Sequence, residues 1–256
     1  MEKISNNEIK HLRSLWQKKF RDEFGVFTVE GEKMVEEALK SGYGIEKIYR
    51  TSEIGAEAMG RISSLASPSP VLAVVRKPEL RTEGKDRLRK LLGDRGLFLA
   101  LDTIRDPGNL GTIVRIADWF GIDGIFATPD TVELFNPKVV QATMGAVFRV
   151  KYRICDLLQL ADAATEAGGH VYGTFLDGRN IYGRELATGK DSPSVIVIGN
   201  ESNGISAQLG AKVSDRLFIP PYPAGAQTSE SLNAAVATAV TVAEFRRRAH
   251  GTEPEL

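Results

Sequence analysis

Three separated stretches carry polar side chains at spacings that could do chemistry. The first, DPGNLGTIVRIADWFG from Asp106 to Gly121, holds Asn109 and Arg115 inside an apolar helix pattern. The second, GNESNGIS from Gly199 to Ser206, contributes Asn200 and Glu201. The third, PPYPAGAQTSESLN from Pro220 to Asn233, ends on Ser231, Leu232 and Asn233. Glycine admits backbone conformations closed to other residues and proline holds its shape, so such loops let N–H and C=O groups approach a flat, purine-like ring. Each loop alone is also what a tight turn requires, and the coincidence of three is the informative feature. G-x-x-x-x-G-K-[ST], G-x-G-x-x-G, H-E-x-x-H and G-x-S-x-G are all missing, which disfavours P-loop NTPases, ordinary dinucleotide enzymes and the usual hydrolases.

The elements that carry these residues follow from periodicity. In the first stretch Asn109 suits an N-cap and Gly121 a left-handed stop. Stepping 100° per residue gathers Leu110, Ile113, Val114, Ala117 and Phe120 on one side and leaves Arg115 opposite, with Gly111, Thr112 and Trp119. An idle arginine there pairs with Asp118 or stacks on Trp119. A helical side chain leans over the preceding turn, however, and Gly111 leaves that space open to a ligand. The last helix, SLNAAVATAVTVAEFRRR, has Ser231 and Asn233 in its first turn; Ser231 reads as an N-cap, with Thr228 and Ser229 as rivals. Glu201 sits at a strand end, where an acid is expected if it touches a ligand or a helix terminus.

Across 256 residues, 42% hydrophobic and 26% charged, the composition is that of an ordinary globular chain. No run approaches about 18 apolar residues and the N-terminus lacks an apolar signal centre, so membrane insertion and secretion are not expected and the cytoplasm is. One cysteine, Cys155, and three scattered histidines leave no disulfide and no metal site, and Cys155 reads as a structural thiol. The net charge is zero, yet residues 1–96 hold 19 Lys and Arg against 15 Asp and Glu. KHLRSLWQKKFR, Lys10 to Arg21, concentrates five of them, as nucleic-acid binding needs and as a solvated helix face also provides.

A first helix is expected over about 6–21, then a small unit of strands VFTVEG, IEKIYRT and PVLAVVRKP alternating with helices EKMVEEALKSG and AEAMGRISSLA. The charged segment 81–95 reads as a linker with a short helix. Strands GLFLALD, GIFATP, HVYGTFL, SVIVIG and DRLFIP follow, with helices at 109–120, 136–147, 156–168, 205–213 and 231–249. Near-continuous apolar strands alternating with helices predict an α/β fold with a parallel sheet covered on both faces, and ligands at the loops after Leu101, Leu176, Ile198 and Ile219.

Together the three stretches resemble the SpoU (TrmH) family of RNA ribose 2'-O-methyltransferases, within the SPOUT superfamily. Asn109, Gly111 and Arg115 match its first motif; Gly199, Asn200, Glu201 and Gly204 its second; Ile219, Pro220, Ser231, Leu232 and Asn233 its third. Ser202 stands where many members have glycine, and Pro223 lies in a slightly long interval of the third motif. The front half, FTVEGEKMVEEAL to SPSPVLAVVRKPE, is similar to the family's ribosomal-protein-like substrate-binding domain. The resemblance implies residues 1–96 as an RNA-binding domain with linker and 97–256 as a SPOUT domain with a trefoil knot. It also implies S-adenosylmethionine as methyl donor, ribosomal or transfer RNA as substrate, and a homodimer. Arg115, Asn109, Glu201, Ser231 and Asn233 take the catalytic positions. Gly199, Asn200, Ile219, Pro220, Leu232, Thr174 and Leu176 take the cofactor positions. The alternative is a non-catalytic RNA-binding or assembly protein that kept the fold.

Overall fold

The structure, a computed structural model, describes residues 4–223 and 229–250. The chain order is α1 (Asn6–Ser14), α2 (Lys18–Phe24), β1 (Val26–Glu30), α3 (Glu32–Lys40), β2 (Ile45–Arg50), α4 (Thr51–Ile54), α5 (Ala56–Ile62) and β3 (Val71–Arg76). There follow α6 (Lys85–Leu92), β4 (Gly96–Leu101), α7 (Pro107–Trp119), β5 (Gly124–Ala127), α8 (Pro137–Thr143), β6 (Tyr152–Ile154) and α9 (Leu157–Glu166). The last elements are β7 (His170–Asn180), β8 (Pro193–Ile198), α10 (Ala207–Gly210), β9 (Asp215–Phe218) and α11 (Ala234–His250). Two compact units result: residues up to Glu79 with Glu133–Arg149, and Leu80–Val132 with residues from Val150 onward.

The first unit is a three-stranded antiparallel sheet in the order β1-β3-β2, with Leu12, Leu15, Met59, Ile62 and Leu72 in one core cluster. Glu133–Arg149 belongs to it through aromatic packing: Phe135 lies 4.4 Å from Phe27, and Phe148 5.2 Å from Tyr43. The helix expected over 6–21 is broken into α1 and α2, because the chain turns at Gln17 and directs Arg21 inward. Arg21 is 1% exposed; it donates to the Leu15 carbonyl at 2.7 Å, one of the groups a helix end leaves unsatisfied, and grips Glu133 through Nε and Nη2. Lys77 reaches the same carboxylate at 2.9 Å.

Removing one partner of a buried pair leaves an uncompensated charge. Arg21→Met is therefore expected to lower unfolding stability by about 3 kcal/mol, the low end of the usual range because Lys77 still faces Glu133. Lys18→Met, which breaks the exposed pair with Asp22, shifts the urea midpoint by less than about 0.5 kcal/mol equivalent.

The second unit is a six-stranded sheet, order β6-β5-β4-β8-β7-β9, and every pairing is parallel. GLFLAL of β4 and PSVIVI of β8 are buried at every position, as strands covered on both faces must be. Phe98, Ala100, Val171, Val195 and Val197 pack with Leu157, Leu160 and Ala164 of α9 and with Leu88 and Leu92 of α6. Tyr172, one residue on from Val171, points to the other face, where its ring lies 4.9 Å from Phe245 of α11; α11 packs in turn on α7. Cys155 lies in the α9 core, and burial pushes its thiol up to about 12.

Several expected boundaries move. β6 has only three residues and its apolar signal is too short to read. The helix expected over 136–147 ends at Thr143, because Met144 and Gly145 both adopt positive φ. The 205–213 helix shrinks to α10, and the last helix starts at Ala234 rather than 231. Among the described residues no helix is long and apolar enough to cross a membrane.

The strand order reverses between β4 and β8. In parallel α/β sheets, ligands lie at the carboxyl ends of strands at such a switch point, which here means the loops after Leu101 and Ile198.

Candidate active site

The loop after β4 turns directly into α7. Asn109 is not its N-cap: Asp106 is, with extended backbone and a carboxylate accepting the Asn109 N–H at 2.8 Å, followed by Pro107 at the first helical position. Proline needs no N–H partner there, so Asp-Pro starts the helix three residues earlier than an asparagine cap suggests. That frees the Asn109 side chain. Its Nδ2 donates to Glu201 Oε1 at 2.9 Å, and its Oδ1 accepts from Asn233 Nδ2 at 2.8 Å.

Asn233 has a second task. Its Oδ1 accepts the N–H groups of Ala235 (2.9 Å) and Val236 (3.3 Å), so Asn233 caps α11. Ser231, expected as cap, lies two residues too early; its side chain is exposed and its carbonyl accepts the Ser229 hydroxyl at 3.4 Å. Thr228, the other rival, lies outside the described residues.

The polarity of this chain of amides is fixed. Ionised Glu201 can only accept, so Asn109 must donate to it, its Oδ1 must face residue 233, and residue 233 must donate. Asn233→Asp keeps the helix cap and loses the donor. Its melting temperature is expected within a few degrees of wild type while turnover falls about tenfold, the cost of roughly one misdirected hydrogen bond. Asn233→Ala loses both and is less stable by a further ~1 kcal/mol.

The loop after β8 is closed on itself. Asn200 and Gly204 exchange both backbone hydrogen bonds at 2.9 Å, and Asn200 Oδ1 accepts the N–H groups of Ser202 and Asn203. Asn200 Nδ2 donates to the Thr103 carbonyl at 2.7 Å, tying this loop to the first. Serine at 202 fits because only its backbone is used. Gly199 admits no other residue: a Cβ there would sit 2.2 Å from the Gly204 carbonyl carbon.

Glu201 accepts from four N–H donors: Asn109 Nδ2, the Asp106 and Arg105 backbone groups at 3.3 and 3.4 Å, and Asn200 Nδ2 at 3.4 Å. Partial burial works to raise its carboxyl, but the hydrogen bonds from Asn109 and the backbone outweigh it and hold the group below the ordinary glutamate range.

Arg115 lies six residues beyond Asn109, about 9 Å along the helix. It is exposed and, among the described residues, has neither a hydrogen-bond nor an ion-pair partner, so the expected pairing with Asp118 or stacking on Trp119 does not occur. Gly111, one turn before Arg115, is itself buried. Of the cofactor positions, Thr174 is half-buried where the β7–β9 register shifts between Thr174 and Arg179, and Leu176 is 67% exposed beside it. Ile219 and Pro220 are half-buried just past β9, and Leu232 is 47% exposed before α11.

The structure thus joins Asn233, Asn109 and Glu201 in one hydrogen-bonded line, sets Arg115 on the same helix, and links Ser231 to none of them. Sequence reasoning missed Asp102, buried at the end of β4, whose carboxylate accepts the Ser206 N–H at 2.8 Å and the Thr103 hydroxyl at 3.2 Å. Its signal was an acid ending an otherwise apolar strand, LALD.

Comparison with known proteins agrees with this geometry. The sequence profile of the SpoU rRNA Methylase family matches residues 96–243, and that of the MRM3-like substrate binding domain matches residues 6–78. The 23S rRNA (guanosine(2553)-2'-O)-methyltransferase RlmP of Bacillus subtilis is 30% identical over 96% of this chain and 98% of its own. Human mitochondrial rRNA methyltransferase 3 is 26% identical over 93% and 71%. An AdoMet-bound rRNA methyltransferase from Sinorhizobium meliloti superposes with a TM-score of 0.84 at 29% identity, covering 97% of both chains. A TrmH-family protein from Porphyromonas gingivalis gives 0.83 at 37% identity, covering 96% of this chain and all of that one. With two of its motifs at the switch point of a parallel sheet, Asn233 of the third bonded to Asn109 of the first, and these likenesses across its length, the chain belongs to the SpoU rRNA methylase family.

Proposed function

We propose that this protein transfers a methyl group from S-adenosylmethionine to a ribose 2'-hydroxyl of ribosomal or transfer RNA, in the cytoplasm. The observation that carries this reading is the intact Asn233–Asn109–Glu201 line at the switch point beside an exposed Arg115 that has no partner among the described residues. A non-catalytic descendant has no use for it.

The cofactor positions fit S-adenosylmethionine by the chemistry they offer. Gly199 brings backbone where no side chain fits, Ile219 and Pro220 continue the same sheet edge, and Leu176, Leu232 and the Thr174 methyl provide apolar contact for a flat ring. Asn200 acts by shaping the loop, since its side chain and backbone are committed within it or to Thr103. When bound, the donor supplies a methyl group already activated by its sulfonium, so the chain's own residues need only position the hydroxyl and manage its proton. RNA alone offers that hydroxyl.

A guanidinium offers five N–H donors and no acceptor, so Arg115 is no base. It grips the adjacent phosphate with two N–H groups and polarises the hydroxyl, whose proton passes to phosphate or water. Asn109, Glu201 and Asn233 fix the helix start that aims Arg115, and Ser231 supplies a free hydroxyl to the ribose. Residues 1–96, with their basic excess, dock the RNA, and residues 97–256 carry out the transfer. The likeness to SpoU structures supports a trefoil knot in that domain. A homodimer is supported by Trp119 (85% exposed) and Val236, large apolar side chains exposed on two helices that pack together.

The test is incubation of purified protein with methyl-labelled S-adenosylmethionine and either ribosomal or transfer RNA. Label in RNA that disappears with Arg115→Ala is expected. Donor binding without transfer to any RNA would instead favour the binding-protein reading.

A further inference from the structure

Thr103 has φ +61°, one of only two described non-glycine residues with positive φ. A β-branched side chain is unfavourable in that left-handed region, and it persists only where its surroundings over-determine it. Three contacts hold it. Asn200 Nδ2 donates to its carbonyl at 2.7 Å, its hydroxyl donates to Asp102 at 3.2 Å, and its N–H donates to Thr128 Oγ1 at 3.0 Å. The first two partners lie in or beside the motifs. Thr128 lies outside them, on the loop after β5.

We propose that Thr128 is a positioning residue for methyl transfer: its hydroxyl holds the left-handed turn at Thr103 that aims the Arg105 and Asp106 N–H groups at Glu201. This rests on the function proposed above.

The donors align in one direction. The Thr103 N–H is accepted by Thr128 Oγ1, the Thr128 hydroxyl lies 3.1 Å from Thr131 Oγ1, and the Thr131 hydroxyl donates to the Leu101 carbonyl at 3.3 Å. Each hydroxyl accepts once and donates once, so the chain closes with no proton unused, and such chains strengthen each member. Thr131 is buried, and Val132 N–H donates to the Ile104 carbonyl at 2.8 Å, bracketing the turn from its other side. Immediately after the turn, Arg105 and Asp106 present consecutive N–H groups to Glu201, and Asp106 starts the helix that carries Asn109 and Arg115. Without the Thr128 hydroxyl the Thr103 N–H is orphaned in a half-buried place, and the turn loses one of the contacts that oppose its relaxation.

Thr128→Val keeps the shape and removes the hydroxyl. The expected result is a kcat about tenfold lower, a KM for S-adenosylmethionine within about twofold of wild type, and faster hydrogen exchange at the amides of Thr103, Arg105 and Asp106. Thr128→Ser restores all three. Adding Thr103→Gly to Thr128→Val recovers part of kcat, because glycine takes the turn without restraint. Should the valine variant not fold, Thr128→Ala with and without Thr103→Gly gives the same comparison. The proposal is overturned if kcat stays within about twofold and exchange at those amides is unchanged, or if serine does not rescue. If wild type methylates no RNA, it is the functional reading that fails. The exchange data then decide this proposal alone, faster exchange at the three amides supporting it and unchanged exchange overturning it.

Discussion

Arg115→Ala is expected to lower RNA methylation by roughly 100- to 1000-fold, the scale on which removal of one preorganised charged donor is felt. Its fold and donor binding should be unaffected, because the side chain is exposed and has no partner among the described residues. Surface substitutions of this kind change stability by no more than about 0.5 kcal/mol. Arg115→Lys separates charge from geometry. A lysine keeps the positive charge but offers a point donor where guanidinium offers a planar fork, so most of the loss should remain. An Arg115→Lys enzyme with nearly full turnover would contradict the two-pronged phosphate grip. The discriminating measurement is single-turnover transfer with RNA in excess, alongside the melting temperature.

Glu201→Gln is the second large effect expected, about 100-fold in kcat. The carboxylate sits against four N–H donors from Asn109, Asp106, Arg105 and Asn200. An amide presents one oxygen and turns its own NH2 toward the remaining donors, forfeiting charge-assisted bonds that are stronger than neutral ones. The helix start that carries Asn109 then has two satisfactory orientations in place of one. The same substitution exposes a pH dependence whose sign is determined. Hydrogen bonding lowers the folded-state carboxyl below its unfolded value, so the stability it contributes is complete above the unfolded glutamate range and is lost as pH falls through the lowered folded value. Urea midpoints across that acidic range should therefore drop less steeply for Glu201→Gln than for wild type. Parallel curves would mean the carboxylate is not stabilised by this network.

What the sequence made legible, and what it hid, divides along physical lines. Runs such as GLFLAL and SVIVIG announce strands buried on both faces, and their alternation with helices announces the parallel sheet. The three site loops follow, because strand ends in such a sheet are where polar residues amid Gly and Pro acquire a purpose. Contacts across long separations were hidden. Nothing in local periodicity says that the amides of Asn109 and Asn233, 124 residues apart, share one hydrogen bond. Nor does it say that Arg21 leaves a basic, solvent-looking run to meet Glu133, or that Glu133–Arg149 packs with the first unit. The caps failed for a narrower reason. The stretches Asp106 to Asn109 and Ser231 to Asn233 each hold two side chains able to cap, and the choice turns on which side chain is claimed elsewhere; Asn109 was claimed by Glu201, and Asn233 capped while also donating to Asn109.

The central claim is that the methyl group reaches a ribose hydroxyl. Alkaline hydrolysis tests it most directly, because RNA cleavage needs a free 2'-hydroxyl and a methylated one blocks it. RNA labelled by this protein with methyl-labelled S-adenosylmethionine and then hydrolysed in alkali should carry its label in alkali-resistant dinucleotides. Label recovered only in mononucleotides would move the methyl group to a base and contradict the account.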